Sequence, residues 1–200
     1  MAPTRSAEFS IEERRTLLRV ARDSIACGVR SGMPIPIRSD GMPEQLTRLR
    51  ASFITLQSSG QLRGCMGSLE ATRPLIVDVA ETACSSALND PRFHPVQEAE
   101  LAMLNIEISV LSPLTEMDIS SEQMLLEALQ PGVDGLVLVF ADRRATFLPK
   151  MWEQIPRPST FIETLKQKAG LPVDFWSPEV RAYRYLTETF SESDRSQAPA

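Results

Sequence analysis

Apolar residues recur at helical spacing near the start of the chain, where Leu17, Leu18, Ala21 and Ile25 fall on one face. Ser10-Ile-Glu-Glu13 ahead of them has the form of a capping box, the hydroxyl serving the third helical amide while the glutamate reaches back. Together they predict a helix running to about Cys27 and stopping near Gly28. Gly32-Met-Pro-Ile-Pro-Ile37 then reads as an extended linker, because its two prolines cannot continue a helix. Arg50–Gln57 is rich in β formers, Ser58-Ser-Gly60 supplies a turn, and Gln61–Glu70 can pair back as a hairpin. Pro74 is expected to open a helix at its first position, with Leu75, Ile76, Val79, Ala80, Ala83, Cys84 and Ala87 as a broad apolar stripe. Strand alternation returns in Leu104–Leu111, where Ile106, Ile108 and Val110 share one face.

The order then repeats. A short helix around Glu122–Leu129 stops at Pro131-Gly132, and Gly135–Phe140 and Ala145–Leu148 read as a hairpin closed by Asp142-Arg-Arg144. Thr160-x-x-Glu163 reads as a second capping box, opening a helix that ends at Gly170-Leu-Pro172, and a last strand is expected near Tyr183–Thr187. Hairpin, helix and strand thus occur twice, which predicts an internally duplicated α+β fold. Its sheet is expected to be mainly antiparallel, with packed helices and an extra N-terminal helix. One domain is expected over residues 10–188, with 1–9 and 191–200 as flexible tails.

Composition narrows the function classes. Lys+Arg 21 against Asp+Glu 26 gives a net charge of −5, which repels a phosphate backbone at long range and disfavours nucleic acid as a partner. The three cysteines, Cys27, Cys65 and Cys84, form no CxxC pair, and His94 is the one histidine, so no metal site is expected. No cofactor is expected either. The polar start and the lack of any long apolar stretch predict a cytoplasmic protein without membrane contact, where thiols persist unpaired. Phosphate-cradling glycine loops, HExxH, GxSxG and the dinucleotide fingerprint are all missing from the sequence. Their absence argues against nucleotide kinases, zincins, α/β-hydrolases and the common dehydrogenases.

The candidate chemistry gathers in two segments. Cys65 lies between Gly64 and Gly67, residues that let a ligand or another backbone approach closely. On a strand Arg63 and Cys65 point the same way, and a guanidinium beside the thiol would favour the nucleophilic thiolate. The competing reading is an inert packed cysteine, with the glycines making room for a helix. Asp90-Pro-Arg-Phe93 offers Arg92 as a grip for a small anionic ligand, or else forms a turn in which Asp90 caps amides and Arg92 pairs with an acid. Counting rise along strand and returning helix brings Arg92 to the level of Cys65, within roughly 12 Å of the sulfur. Cys27 and Cys84 lie on apolar helix stripes as core filler. Trp152 and Trp176 are expected to anchor the fold, and His94 to lie on the surface.

Leu62-Arg-Gly-Cys-Met-Gly67, Asn89-Asp-Pro-Arg-Phe93, Ile108–Leu114, Ala145-Thr-Phe-Leu-Pro149 with Trp152, and Lys168-Ala-Gly-Leu-Pro172 occur in an order that resembles the AMMECR domain family. The resemblance spans roughly residues 10 to 188. It implies an α+β fold with internal duplication, no established activity, and a Memo-like protein and a radical-SAM protein as partners. His94-Pro95 stands where the family pattern has two prolines, which argues against a catalytic histidine. Two functions follow as expectations: a small-molecule enzyme or accessory factor with a cleft near Cys65, or a non-catalytic scaffold for those partners.

Overall fold

A computed structural model describes residues 8–194, and they divide into two compact units, 112–187 and the remainder. Where one domain was expected, each unit has a hydrophobic core of its own.

The first unit contains α1 (Ile11–Ser31), α2 (Glu44–Thr47), β1 (Ser52–Ser58), β2 (Gln61–Gly67), α3 (Leu75–Leu88), a 3-10 turn at Glu98–Met103, β3 (Leu104–Leu111) and, at the chain's end, β8 (Thr187–Ser191). The second contains β4 (Thr115–Glu116), α4 (Glu122–Ala128), β5 (Gly135–Phe140), β6 (Arg143–Phe147), a 3-10 turn at Pro149–Glu153, α5 (Pro158–Lys168) and β7 (Arg181–Tyr185). The sheets run β2-β1-β3-β8 and β4-β7-β5-β6. Read from its hairpin, each sheet has the same order: second hairpin strand, first hairpin strand, then the strand that follows the helix. The hairpins and return strands pair antiparallel, as the duplicated hairpin-helix-strand reading requires.

The Ser10/Glu13 capping box forms, but α1 runs past Gly28 and ends at Gly32, which adopts φ 78° as a left-handed cap. The expected stop at Gly28 is wrong for a packing reason. Gly28 is buried, and a Cβ built on it would lie 2.5 Å from the Cys84 sulfur, so this glycine lets α3 approach rather than ending the helix. One turn earlier the Ser24 hydroxyl donates to the Ala80 carbonyl at 2.6 Å. Positions 24 and 28 therefore meet 80 and 84 in the same direction, and small residues set a close parallel crossing. Pro74 caps α3 in extended conformation instead of occupying its first turn.

The second capping box does not form. Pro158 opens α5 at its first turn, Arg157 is the cap without a side-chain bond, and Thr160 lies inside the helix. The expected tails are also shorter at both inner ends. Phe9 is buried against Phe190 with ring centroids 6.3 Å apart, and Ser191 closes β8. Residues 1–7 and 195–200 of those tails lie outside the described residues. β8 lies past the last expected strand, and Glu188 on it and Glu192 just after it carry no strand signal of their own. They instead face Arg14 and Arg22 of α1, Glu188 accepting from Arg14 Nη2 at 2.8 Å.

The cores follow the predicted faces. Leu17, Ala21, Ile54, Leu56, Ile76, Ile106 and Ile108 are sealed in the first unit. In the second, Trp152 stacks on Phe161 at 3.8 Å and donates its indole N–H to the Asp134 carbonyl at 2.8 Å, so it is the expected anchor. Trp176 is half-buried there, with the Lys166 ammonium 5.9 Å from its ring. No described helix is long and apolar enough to cross a membrane.

Candidate functional site

The site is built on the outer edge of the first sheet. β2 is an edge strand, and its backbone is tied to α3 and the loop after it by buried polar side chains rather than by another strand. The Ser86 hydroxyl accepts from Met66 N–H at 3.1 Å and donates to the Ile54 carbonyl at 3.0 Å. Asp78, at the start of the same helix, accepts from the Ser52 amide at 2.9 Å and hydroxyl at 2.6 Å and pairs with Arg73. Burial pushes the Asp78 carboxyl up, against the opposing pull of the Ser52 and Arg73 bonds.

The two candidate segments meet at Cys65. Buried Asp90 accepts from the Cys65 amide at 2.8 Å, and the Arg92 guanidinium donates to the Cys65 carbonyl at 3.2 Å. Asp90 and Arg92 also pair through two parallel bonds of 2.9 and 2.7 Å. The Arg92 bonds hold the Asp90 carboxyl well below the usual carboxylate range, helped by the Cys65 and Arg92 amides. The rise count thus brought the right residues together, but Arg92 grips the peptide carbonyl of Cys65. Its reading as an anion grip is displaced: the charge is already met by a carboxylate.

Arg63 is committed in the same way. It pairs with Glu100 at 2.7 and 3.0 Å and donates to the His94 carbonyl at 2.9 Å. That pairing holds the Glu100 carboxyl below its ordinary value. The Arg63 and Arg92 guanidinium carbons stand 6.0 and 5.5 Å from the centre of the Phe93 ring. His94 is exposed on its loop and serves Arg63 with its backbone alone. Glu100 was missed from sequence, although Gln97 and Glu100 form a capping box that marks its turn.

The glycines separate the two sheet faces. Gly64 faces α3, where a Cβ would collide with the Ser86 carbonyl oxygen, and Gly67 leaves room for the Phe53 ring. Because Gly64 and Met66 pair with the core residues Leu56 and Ile54, Cys65 points to the face away from α3. There it stands opposite Thr55, whose hydroxyl donates to the sulfur at 3.4 Å, and Thr55 in turn stands opposite Glu107. Thiol, hydroxyl and carboxylate form one row across three strands, all half-buried. Thr55 and Glu107 were legible only as the polar alternates of their strands; register supplies the connection. In the neighbouring row Ser109 bonds Thr189 at 2.9 Å.

The concavity beside this motif lies on the other side. A groove of about 410 Å³ is lined by Met66, Gly67, Ser68, Arg73, Glu81 and Cys84, among others. The thiol bordering it is Cys84, and Met66 and Gly67, which follow Cys65 in the chain, line it as well. Among the described residues no group of three or more His, Cys, Asp or Glu is placed to hold a metal ion.

Comparison with known proteins agrees with this architecture. A model of the AMMECR1 family matches residues 18–190. A protein of Methanothermobacter thermautotrophicus is 35% identical over 192 residues, covering 93% of this chain and 97% of the relative. One of Thermotoga maritima is 33% identical over 154 residues, covering 76% and 83%. The crystal structure of the uncharacterized protein PH0010 from Pyrococcus horikoshii superposes with a TM-score of 0.81 at 30% identity, covering 88% of this chain and 89% of that one.

Proposed function

The chain belongs to the AMMECR1 family, and from that premise we propose that it is a thiol-dependent small-molecule enzyme, or the accessory of one, with Cys65 as the reacting group. The observation that carries this reading is the Cys65–Thr55–Glu107 row. Asp90 and Arg92 fix the peptide groups of Cys65, so the sulfur is presented from a rigid strand. The Thr55 hydroxyl supplies a donor to the sulfur, the partner an anionic nucleophile needs. Glu107 lies two strand spacings from Cys65, about 10 Å between backbones, with Thr55 on the strand between them, so a substrate at the sulfur lies over the row and not within it. A small substrate with an electrophilic carbon for the sulfur fits this row.

A second reading is a scaffold acting with a Memo-like protein and a radical-SAM protein. It is favoured by the internal pairing of Arg63, Asp90 and Arg92, which makes those motif residues fold-holding. Mass spectrometry of natively purified protein distinguishes the two. A small molecule retained by the wild-type chain and lost from a folded Cys65→Ser variant supports the thiol site. Equal retention by both, or none in either, removes Cys65 from the role and leaves the scaffold.

A further inference from the structure

On the α3 side of β2, away from the Cys65 row, the edge of the sheet opens into the groove of about 410 Å³, the size of a small ligand site. Two sets of polar groups there are unpaired. Main-chain direction alternates along an antiparallel strand. The Cys65 amide and carbonyl point outward, to Asp90 and Arg92, while the Ser68 amide points inward and donates to the Ser52 carbonyl at 3.3 Å. Gly67, two residues after Cys65 and one before Ser68, therefore turns its N–H and C=O outward. It is exposed, it lines the groove, and these two groups meet no partner among the described residues. The second is the Thr82 side chain. Thr82 is only 5% exposed and lines the groove, yet its hydroxyl makes no hydrogen bond among the described residues. The hydroxyl of Ser86, one turn on, both accepts and donates. A buried hydroxyl left without a partner is uncommon and points to a group brought by a ligand. The tie from Met66 to Ser86 fixes the level of the strand, so that Gly67 and Ser68 run back along α3 toward Thr82.

We propose that this groove is a binding site for the amino-terminal end of an extended peptide, whose main chain pairs with Gly67. The outward N–H and C=O of one edge residue match the C=O and N–H of one residue in an added strand. Pairing cannot continue past Cys65, because Asp90 and Arg92 already hold that part of the edge, so a chain end fits where the middle of a strand does not. Charge selects which end. Arg73, on the groove wall, is met by two carboxylates, Asp78 at 2.9 Å and Glu81. Asp78 also accepts from the Ser52 amide and hydroxyl, the donor set of an ionised carboxylate. One negative charge is left in excess, which favours an ammonium over a carboxylate. Glu81 and the Thr82 hydroxyl are the acceptors for that ammonium.

The test follows the backbone amides of the isotope-labelled full-length chain by NMR while tetra-alanine with a free amino terminus is added. Saturable shifts of the Gly67, Ser68 and Thr82 amides are expected. N-acetylated tetra-alanine, which keeps the main chain and lacks the ammonium, is expected to bind at least about tenfold more weakly. Thr82→Val, which keeps the shape and removes the hydroxyl, is expected to weaken the free-amine peptide about fivefold, and the acetylated peptide makes its own distinction on unaltered protein. No shift at Gly67 with millimolar peptide, or equal binding of the acetylated form, would overturn the proposal. So would Gly67 shifts that follow protein concentration without peptide, which would make this edge a contact between two copies of the chain.

Discussion

The two units carry the same sheet order on different chemistry. In the first, the row facing away from α3 is Cys65, Thr55 and Glu107; in the second, the corresponding positions are Thr146, Val137 and Tyr183. The Thr146 hydroxyl is engaged locally, 2.9 Å from the Leu136 carbonyl and 2.8 Å from the Tyr185 hydroxyl, and burial pushes Tyr185 up to about 12. On the core side Gly64 corresponds to Ala145, since they stand opposite Leu56 and Leu138. One architecture therefore supports a strand that packs with ordinary side chains and another whose glycine admits a helix backbone. Packing accounts for the two glycines of the Gly-Cys-Met-Gly segment and leaves the choice of cysteine between them open.

That contrast can be broken most severely at the paired core positions. Gly64→Ala forces a methyl onto the Ser86 carbonyl oxygen, a backbone atom that cannot step aside, and is expected to destabilise the first unit by about 3 kcal/mol. The reverse change in the second unit, Ala145→Gly, is expected to cost about 1 kcal/mol, through backbone entropy and a lost methyl. Denaturant unfolding of both variants checks the ratio; equal losses would make the two strands equivalent.

The next effect is electrostatic. Asp90→Asn removes the charge that holds the Cys65 amide and Arg92, and is expected to cost about 2 kcal/mol at neutral pH. Because Asp90 titrates below its unfolded value of about 4, its contribution is complete above that pH and is lost as pH falls through the depressed folded value. Asp78, shifted upward, acts with the opposite sign, since its protonation favours the folded state. Acid titration of stability should therefore be flatter in Asp90→Asn than in the wild type. A steeper loss with acid in the variant would contradict the clamp.

Period and punctuation made most of this fold legible. The Ser10 box, the hairpin turn at Ser59 and Gly60 with positive φ, and the alternation of Ile106, Ile108 and Val110 all depend on local chemistry. What failed depended on partners distant in sequence. Gly28 looks like a helix end until Cys84 is placed against it, and Glu192 looks like tail until Arg22 faces it. Likewise the motif residues Cys65, Asp90 and Arg92 could be singled out by type. That Asp90 and Arg92 clamp the Cys65 peptide groups, and that Thr55 and Glu107 share its row, required the register.

On the proposed function Cys65, of the three thiols, is the one presented for chemistry, and rates of alkylation decide it. Folded, reduced protein is exposed to iodoacetamide, and the modification of each cysteine is followed by peptide mass spectrometry. Cys65 is expected to react faster than Cys27, which is also half-buried, and much faster than buried Cys84. Thr55→Val, which removes the hydroxyl donor, is expected to slow Cys65 and leave Cys27 unchanged. Labelling of Cys65 no faster than Cys27, or at a rate indifferent to Thr55, would contradict the account and return Cys65 to a packing role.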